Sequence, residues 1–283
     1  MTEGARSVTI KEARVERVNL TGVKETLLMV LYLRALDSRA ATPILGDGYA
    51  DELLGRIDYD FGRLASLRGS VRTVAVRSKQ FDAWVVRFLA EHPDGVLLNL
   101  GCGLDSRVFR IDPPRTVLWY DLDYPEVVQL RERLYPARDG VVTIGASVTD
   151  GSWWAQVPTD RPALVLAEGL LMYLTAPDVH RLLDQMTAHL PCGQVAFDTV
   201  APWVATVSKH HPVLRRAGTA FSWTLGDPHE LERHQPRLRL AEDRPIVELL
   251  REANFPAHYR ILLAVLGLLP GLRDSMRLLR YTF

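Results

Sequence analysis

Val96-Leu97-Leu98-Asn99-Leu100-Gly101-Cys102-Gly103-Leu104-Asp105-Ser106-Arg107 decides the fold. Four of its first five residues are apolar, and a short apolar run of this length reads as a buried parallel strand. Gly101 ends the strand, where glycine permits a sharp turn and a close backbone approach to a ligand. Val108 and Phe109 then begin a helix. Strand, glycine turn and helix are the opening of a nucleotide-binding α/β unit.

Downstream the pattern repeats. Strands are expected at Thr116–Asp121, Val141–Ala146, Ala163–Glu168 and Gln194–Thr199, with helices at Pro125–Leu134 and Ala176–Leu190 between them. Alternation of this kind makes a doubly wound parallel sheet with right-handed crossovers. Ligands bind such sheets at the carboxyl ends of the strands. Gly101, Asp121, Asp123, Ser147 and Glu168 all fall there.

Upstream, residues 1–17 are polar and charged and are expected as a loosely held arm. Thr21 is expected to cap a helix running to about Arg39, with Leu27, Leu28, Leu31 and Leu36 on one face and Tyr32 near its edge. Lys24 sits in the first turn, against the helix dipole, either as a solvated lysine or as a cation for an anionic ligand. Residues 40–69 are irregular. Ser70 opens a second long helix that ends at His92-Pro93, with Val74, Phe81, Trp84, Val85 and Phe88 as its buried stripe. Arg77 lies on or beside that stripe, where a surface ion pair is the plain alternative to a ligand contact. Residues 1–95 are thus expected as an N-terminal helical cap on a core of residues 96–283.

After the fifth strand the alternation breaks. Residues 201–244 carry Trp203, Phe221, Trp223 and four histidines among prolines and glycines. Their position over the carboxyl edge makes them an expected lid, with Trp203, Phe221 or Trp223 lining an acceptor pocket. The plain alternative is an aromatic cluster that only ties the insertion down, and solvated histidines. Pro245–Glu252 resumes a helix that Asn254 stops, and Tyr259–Val265 and Leu278–Thr282 read as the last two strands.

Composition narrows the classes. With 283 residues, 47% hydrophobic and 24% charged, the chain can bury a real core. Lys plus Arg equals Asp plus Glu, 34 each, so the electrostatic footprint of a nucleic-acid binder is missing. Cys102 and Cys192 are expected as buried thiols in a reducing compartment, not as a disulfide or metal site. No signal-peptide core and no apolar run of membrane-spanning length is present, which points to a soluble cytoplasmic protein; the expected form is a monomer or homodimer acting on a small molecule.

Two ligands compete for the crevice. A dinucleotide needs G-x-G-x-x-G/A and an acid about 20 residues on. Gly101, Gly103 and Asp121 fit this, but Ser106 replaces the third glycine. Asp105 also sets negative charge where a pyrophosphate would meet the helix. S-adenosylmethionine has no phosphate. It needs an acid for its ribose, cations for its carboxylate, and aromatic or acidic groups that tolerate a sulfonium. The chain offers all three.

The strings Asn99-Leu100-Gly101-Cys102-Gly103-Leu104-Asp105-Ser106-Arg107, Asp121-Leu122-Asp123-Tyr124-Pro125 and Ala167-Glu168-Gly169-Leu170-Leu171-Met172-Tyr173-Leu174 resemble the leucine carboxyl methyltransferase superfamily. Glu25-Thr26-Leu27-Leu28, Arg34-Ala35-Leu36-Asp37-Ser38 and Trp223 with Asp227-Pro228-His229 extend the resemblance over roughly residues 20 to 283. Its bacterial branch includes polyketide O-methyltransferases. The resemblance implies a class I S-adenosylmethionine-dependent methyltransferase, with a Rossmann-like, doubly wound, seven-stranded sheet. Lys24 and Arg77 would hold the methionine carboxylate, with Arg77 also facing substrate. Gly101 and Gly103 would approach the cofactor by backbone, Asp123 would take the ribose, and Ser147 and Val148 would flank adenine. Glu168 would sit by the methionine amino group, and Tyr173 would point into the acceptor pocket near Tyr32. The family usually carries Asp-Leu where this chain has Ser147-Val148, with Asp150 the nearby acid. On the residues alone, Asp123-x-x-Glu126 also reads as a helix cap, Asp105 with Arg107 as a structural ion pair, and Tyr173 as a core residue with a wet hydroxyl. A carboxylate acceptor needs positioning only, whereas a phenol benefits from a base such as histidine.

Overall fold

The computed structural model describes residues 15–18, 20, 22–211, 214–215, 217–253 and 267–283. The Thr21 cap, the Asn254 stop and the Tyr259–Val265 strand lie outside the described residues. The seven-stranded sheet contains β1 (Val96–Leu100), β2 (Leu118–Asp123), β3 (Val141–Gly145), β4 (Ala163–Ala167), β5 (Gly193–Val200), β6 (Arg239–Pro245) and β7 (Met276–Thr282). Their spatial order is β3-β2-β1-β4-β5-β7-β6. The first five are parallel, and β7 runs antiparallel between β5 and β6.

The expected parallel core is therefore present, with β1 at its expected bounds and β2 running on to include Asp123. The order reverses at β1, between β2 and β4, which is the switch point where such sheets bind ligands. The sixth strand is a correction. It falls at Arg239–Pro245, inside the stretch expected as lid. It escaped the apolar pattern because its pairs with β7 are ionic: Glu242 takes Arg280 and Asp243 takes Arg277. Charge on an edge strand also discourages pairing with another chain.

Helices α1 (Thr26–Ser38), α2 (Gly48–Leu54) and α3 (Val71–Glu91) precede the sheet. They do not act alike. Phe81, Trp84, Val85 and Phe88 of α3 pack on Leu97, Trp119, Leu164 and Leu278, so α3 is one covering layer of the sheet. Leu28 and Leu31 of α1 and Leu53 of α2 instead join Leu104 and α5 (Pro125–Leu134), where α4 (Arg107–Ile111) follows the glycine turn. That packing sets α1 over the carboxyl ends of β1 and β2. On the opposite face, α6 (Ala176–His189) packs Val179, Leu183 and Met186 on the sheet, its start capped by Thr175 accepting from the Asp178 N–H. After the fifth strand in the chain come α7 (Pro202–Ser208), α8 (His229–His234) and α9 (Ile246–Glu252). Among the described residues, no helix is long and apolar enough to cross a membrane.

Candidate active site

The turn after β1 sets the floor of the site. Gly101 has φ +62°, and a Cβ there would meet Leu170 Cδ1 at 2.9 Å, so only glycine fits. The turn brings the Gly103 N–H to Asp123 Oδ2 at 2.8 Å, and the Tyr124 N–H donates to Oδ1 at 2.7 Å. Burial pushes the Asp123 carboxyl up from its ordinary value, while these two N–H bonds pull it down. Each oxygen retains acceptor capacity, because a carboxylate oxygen takes more than one hydrogen bond. Asp121 differs. It is 0% exposed and holds Asn99 Nδ2, Trp119 Nε1 and the Arg131 guanidinium. Asp123 thus faces the cavity above the turn, and Asp121 braces the sheet beneath it.

Glu168, just past β4, is the hub of a buried ionic network. Its Oε1 accepts from Ser78 Oγ at 2.7 Å, Arg77 Nε at 3.1 Å and Arg34 Nη2 at 3.3 Å. Its Oε2 accepts from Arg107 Nη2 at 2.5 Å. Burial raises its pKa, but Arg107, Arg34 and Arg77 outweigh burial and hold it at about 2. Asp105 accepts from Arg34 and Arg107 and is likewise pulled below the carboxylate range against its burial. Asp105 and Arg107 thus form the ion pair that the residues alone suggest, with Asp105 also lining the cavity above the turn. Desolvating so many charges is costly unless every one is matched, and here acids and arginines alternate.

Arg77 carries this network to the ligand side. Its Nε serves Glu168, and its Nη1 donates to Asp198 Oδ2 at 3.1 Å. Its Nη2 has no hydrogen-bond partner among the described residues and faces Gly169, where a Cβ would stand 3.4 Å away. Gly169 has φ +67° and donates its N–H to Asp198 Oδ1 at 2.6 Å. A side chain at Gly169 would be strained and would crowd the guanidinium.

Two cavities meet at this point. The first is the more polar of the two, with the glycine turn, Asn99, Asp123, Glu168, Lys24 and Arg34 set among leucines. The second holds about 400 Å³ and is walled by Met29, Val74, Met172, Phe221 and their neighbours, with no acid among its described lining residues. Thr26, Val30, Arg77, Gly169 and Tyr173 belong to both. The Tyr173 ring meets Phe221 edge-on at 5.3 Å. Burial pushes its hydroxyl to about 12, against the pull of a hydrogen bond with Thr26 and the charge of Arg77.

The structure gathers Lys24, Arg77, Gly101, Gly103, Asp123, Glu168 and Tyr173 around one site. Lys24 lies in a short 3-10 turn before α1, ion-paired with Glu126 and 4.7 Å above the Tyr124 ring. Ser147 and Val148 follow β3, but neither lines the cavity. Ser147 pairs with Thr149 Oγ1, and Val148 is buried in the core. Among the expected lid aromatics only Phe221 reaches the second cavity. Trp223 is 4% exposed and packs on Phe197, because the N–H groups of Ser222 and Trp223 both bond the Met172 carbonyl and turn its ring to the sheet. Trp203 is 44% exposed and donates to the Gly271 carbonyl, outside either cavity. Tyr32 is buried against Phe61 with its hydroxyl accepting from Arg68, also outside both. Cys192 is exposed, not buried, since the chain turns at the surface before β5.

Sequence reasoning passed over Arg34, Ser78 and Asp198. Two of them carried a signal. Arg34 shares the apolar face of Leu27 and Leu31, and Asp198 sits inside a central strand, so both are charges at core positions. Of the histidines for which solvent is the plain alternative, His210 is exposed and His211 half-buried, and both line the second cavity.

Comparison with known proteins agrees with this geometry. The leucine carboxyl methyltransferase family model matches residues 27–187. The chain is 48% identical, over 268 residues, to the tetracenomycin polyketide synthesis O-methyltransferase TcmP of Streptomyces glaucescens, covering 95% of this chain and 99% of that one. It is 35% identical, over 248 residues, to the S-adenosyl-L-methionine-dependent methyltransferase dpfgK of Gibberella zeae, with coverage of 80% and 83%. Among solved structures, a DUF574 family protein of Streptomyces avermitilis shares the fold with TM-score 0.53 and 13% identity, over 90% of this chain and 96% of that one.

Proposed function

The chain belongs to the leucine carboxyl methyltransferase family and is an S-adenosylmethionine-dependent methyltransferase, and on that premise we propose that it methylates an oxygen of an anionic, flat, polyketide-type small molecule. One observation carries the reading. The polar cavity and the apolar cavity share Arg77, Gly169 and Tyr173, so a donor in one and an acceptor in the other meet there.

The donor set fits the cofactor. Asp123 has lone pairs for a ribose diol, Lys24 lines the same cavity as a cation for the carboxylate, and the φ +62° turn bares backbone at Gly101. When bound, S-adenosylmethionine supplies a methyl group on a sulfonium, open to in-line displacement. The chain's own residues then align and desolvate. Met172 and Phe221 wall the acceptor against water, and Thr26 holds the Tyr173 hydroxyl at the shared boundary. Glu168 and Asp198 fix the Arg77 guanidinium so that its free nitrogen faces the junction. A cationic group at the junction and the lack of acids in the second cavity favour an acceptor that is already an anion. A carboxylate is one at neutral pH and needs no base. A hydroxyl acceptor is the second form of the reading, favoured by the two histidines in the cavity wall. We assign the enzyme to the cytoplasm as a monomer or homodimer, with no nucleic-acid or membrane partner.

The test uses labelled S-adenosylmethionine with 2-naphthoic acid and 2-naphthol. Label is expected in the methyl ester of the acid, in excess over the ether of the naphthol. Label in neither product, from protein that binds adenosylhomocysteine, contradicts the acceptor class.

A further inference from the structure

The first cavity holds one cation that is able to change partners. Among its described lining residues the cations are Lys24, Arg34 and Arg77. Arg34 and Arg77 are locked. Their acids, Asp105, Glu168 and Asp198, have side chains no more than 7% exposed, so none of them can retire into water. Lys24 is paired differently. Its Nζ meets Glu126 Oε1, and the Glu126 side chain is 47% exposed and does not line the cavity. The same ammonium lies 4.7 Å from the centroid of the Tyr124 ring, which does line it.

Breaking this pair costs little. An ion pair open to solvent has a small net worth, because each charge is well hydrated when alone. Glu126 also keeps a partner of its own. It lies in the first turn of α5, at the positive end of that helix, and Lys24 together with its own backbone N–H holds its carboxyl below the usual range. Lysine is a compact charge on a flexible stem, free to swing between two acids. A carboxylate inside the cavity is more enclosed than Glu126, and charges attract more strongly away from water, so the swing favours the enclosed acid.

We propose that Glu126 is the counter-ion that Lys24 gives up for the carboxylate of the cofactor's methionine end, so that Glu126 competes with that carboxylate and tempers cofactor affinity. This rests on the reading of Lys24 as the cation for that carboxylate. Glu126 acts on the cofactor only through Lys24, as a positioning residue, and ligands without the methionine end escape its effect.

The experiment measures binding of adenosylhomocysteine and of 5′-methylthioadenosine, which lacks the amino-acid end, by calorimetry. Glu126→Gln is expected to tighten adenosylhomocysteine about threefold, in keeping with the small worth of an exposed pair, and to leave methylthioadenosine affinity unchanged. Lys24→Met should weaken adenosylhomocysteine about tenfold, the scale of a lost hydrogen bond to a charged group, again sparing methylthioadenosine. Combined with Lys24→Met, Glu126→Gln should have no effect. A Glu126→Gln protein that binds adenosylhomocysteine as before, or more weakly, overturns the inference. So does a gain that methylthioadenosine shares, or one that survives in the Lys24→Met background. If Lys24→Met leaves adenosylhomocysteine affinity intact, the carboxylate reading of Lys24 falls, and this inference with it.

Discussion

Asp121 and Asp123 are two residues apart on one strand end, yet they do different work. Among the described residues Asp123 accepts two backbone N–H bonds and faces the cavity, whereas Asp121 is saturated beneath the turn. Asp123→Ala is expected to weaken adenosylhomocysteine binding by about 1.5–3 kcal/mol, the worth of hydrogen bonds to a charged group. Asp121→Ala strands the buried Arg131 and should cost about 3–5 kcal/mol of stability instead. Calorimetry alongside thermal unfolding separates the two, and a larger affinity loss at Asp121 would reverse the assignment. Glu168 makes a pH prediction. Its folded pKa, about 2, lies below the ordinary 4.5, so its stabilisation is complete above that ordinary value and fades as pH falls toward 2. Glu168→Gln should therefore lower the urea midpoint strongly at pH 7 and much less at pH 3. A gap of equal size at both pH values would show that the carboxylate charge is not what holds the network.

The segment between β5 and β6 divides by function along its length. Its first part carries α7, His211 and Phe221 along the second cavity, its middle ties Trp223 into the core, and β6 closes the sheet. Phe221→Ala is expected to raise the acceptor KM about tenfold, for roughly 1.4 kcal/mol of lost ring contact, with adenosylhomocysteine affinity unchanged. Trp223→Ala should instead cost about 3–5 kcal/mol of stability through the cavity it leaves. If Trp223→Ala raises the acceptor KM in protein that stays folded, the division fails. Legibility followed the kind of force that sets each element. β1, α5 and the buried stripe of α3 were readable because burial writes a regular apolar period. β6 was not, because arginine–carboxylate pairs hold it and its residues look like a polar loop. The fate of each lid aromatic was equally hidden, since two backbone bonds to the Met172 carbonyl decide which ring turns inward.

At the scale of the molecule, one fold places two cavities on either side of a rigid ionic hub. Arg34 from α1, Ser78 and Arg77 from α3, Arg107 from α4, and Glu168 after β4 meet there, so the N-terminal helices and the sheet fix the junction together. The site residues legible in the sequence were those on the switch-point loops, where glycines and acids break an apolar pattern. Arg34 and Asp198 stood out as charges at core positions, but their partners were hidden because they are distant in sequence and only the crossover topology joins them. The most direct test is a crystal structure with adenosylhomocysteine and 2-naphthoic acid bound together. The account predicts the sulfur facing Tyr173 and Gly169 and the acid beside Met172 and Phe221. A carboxylate oxygen should lie on the line of transfer, about 3–3.5 Å from where the methyl carbon would be. An acid bound elsewhere, or a sulfur turned away from the shared boundary, would contradict it.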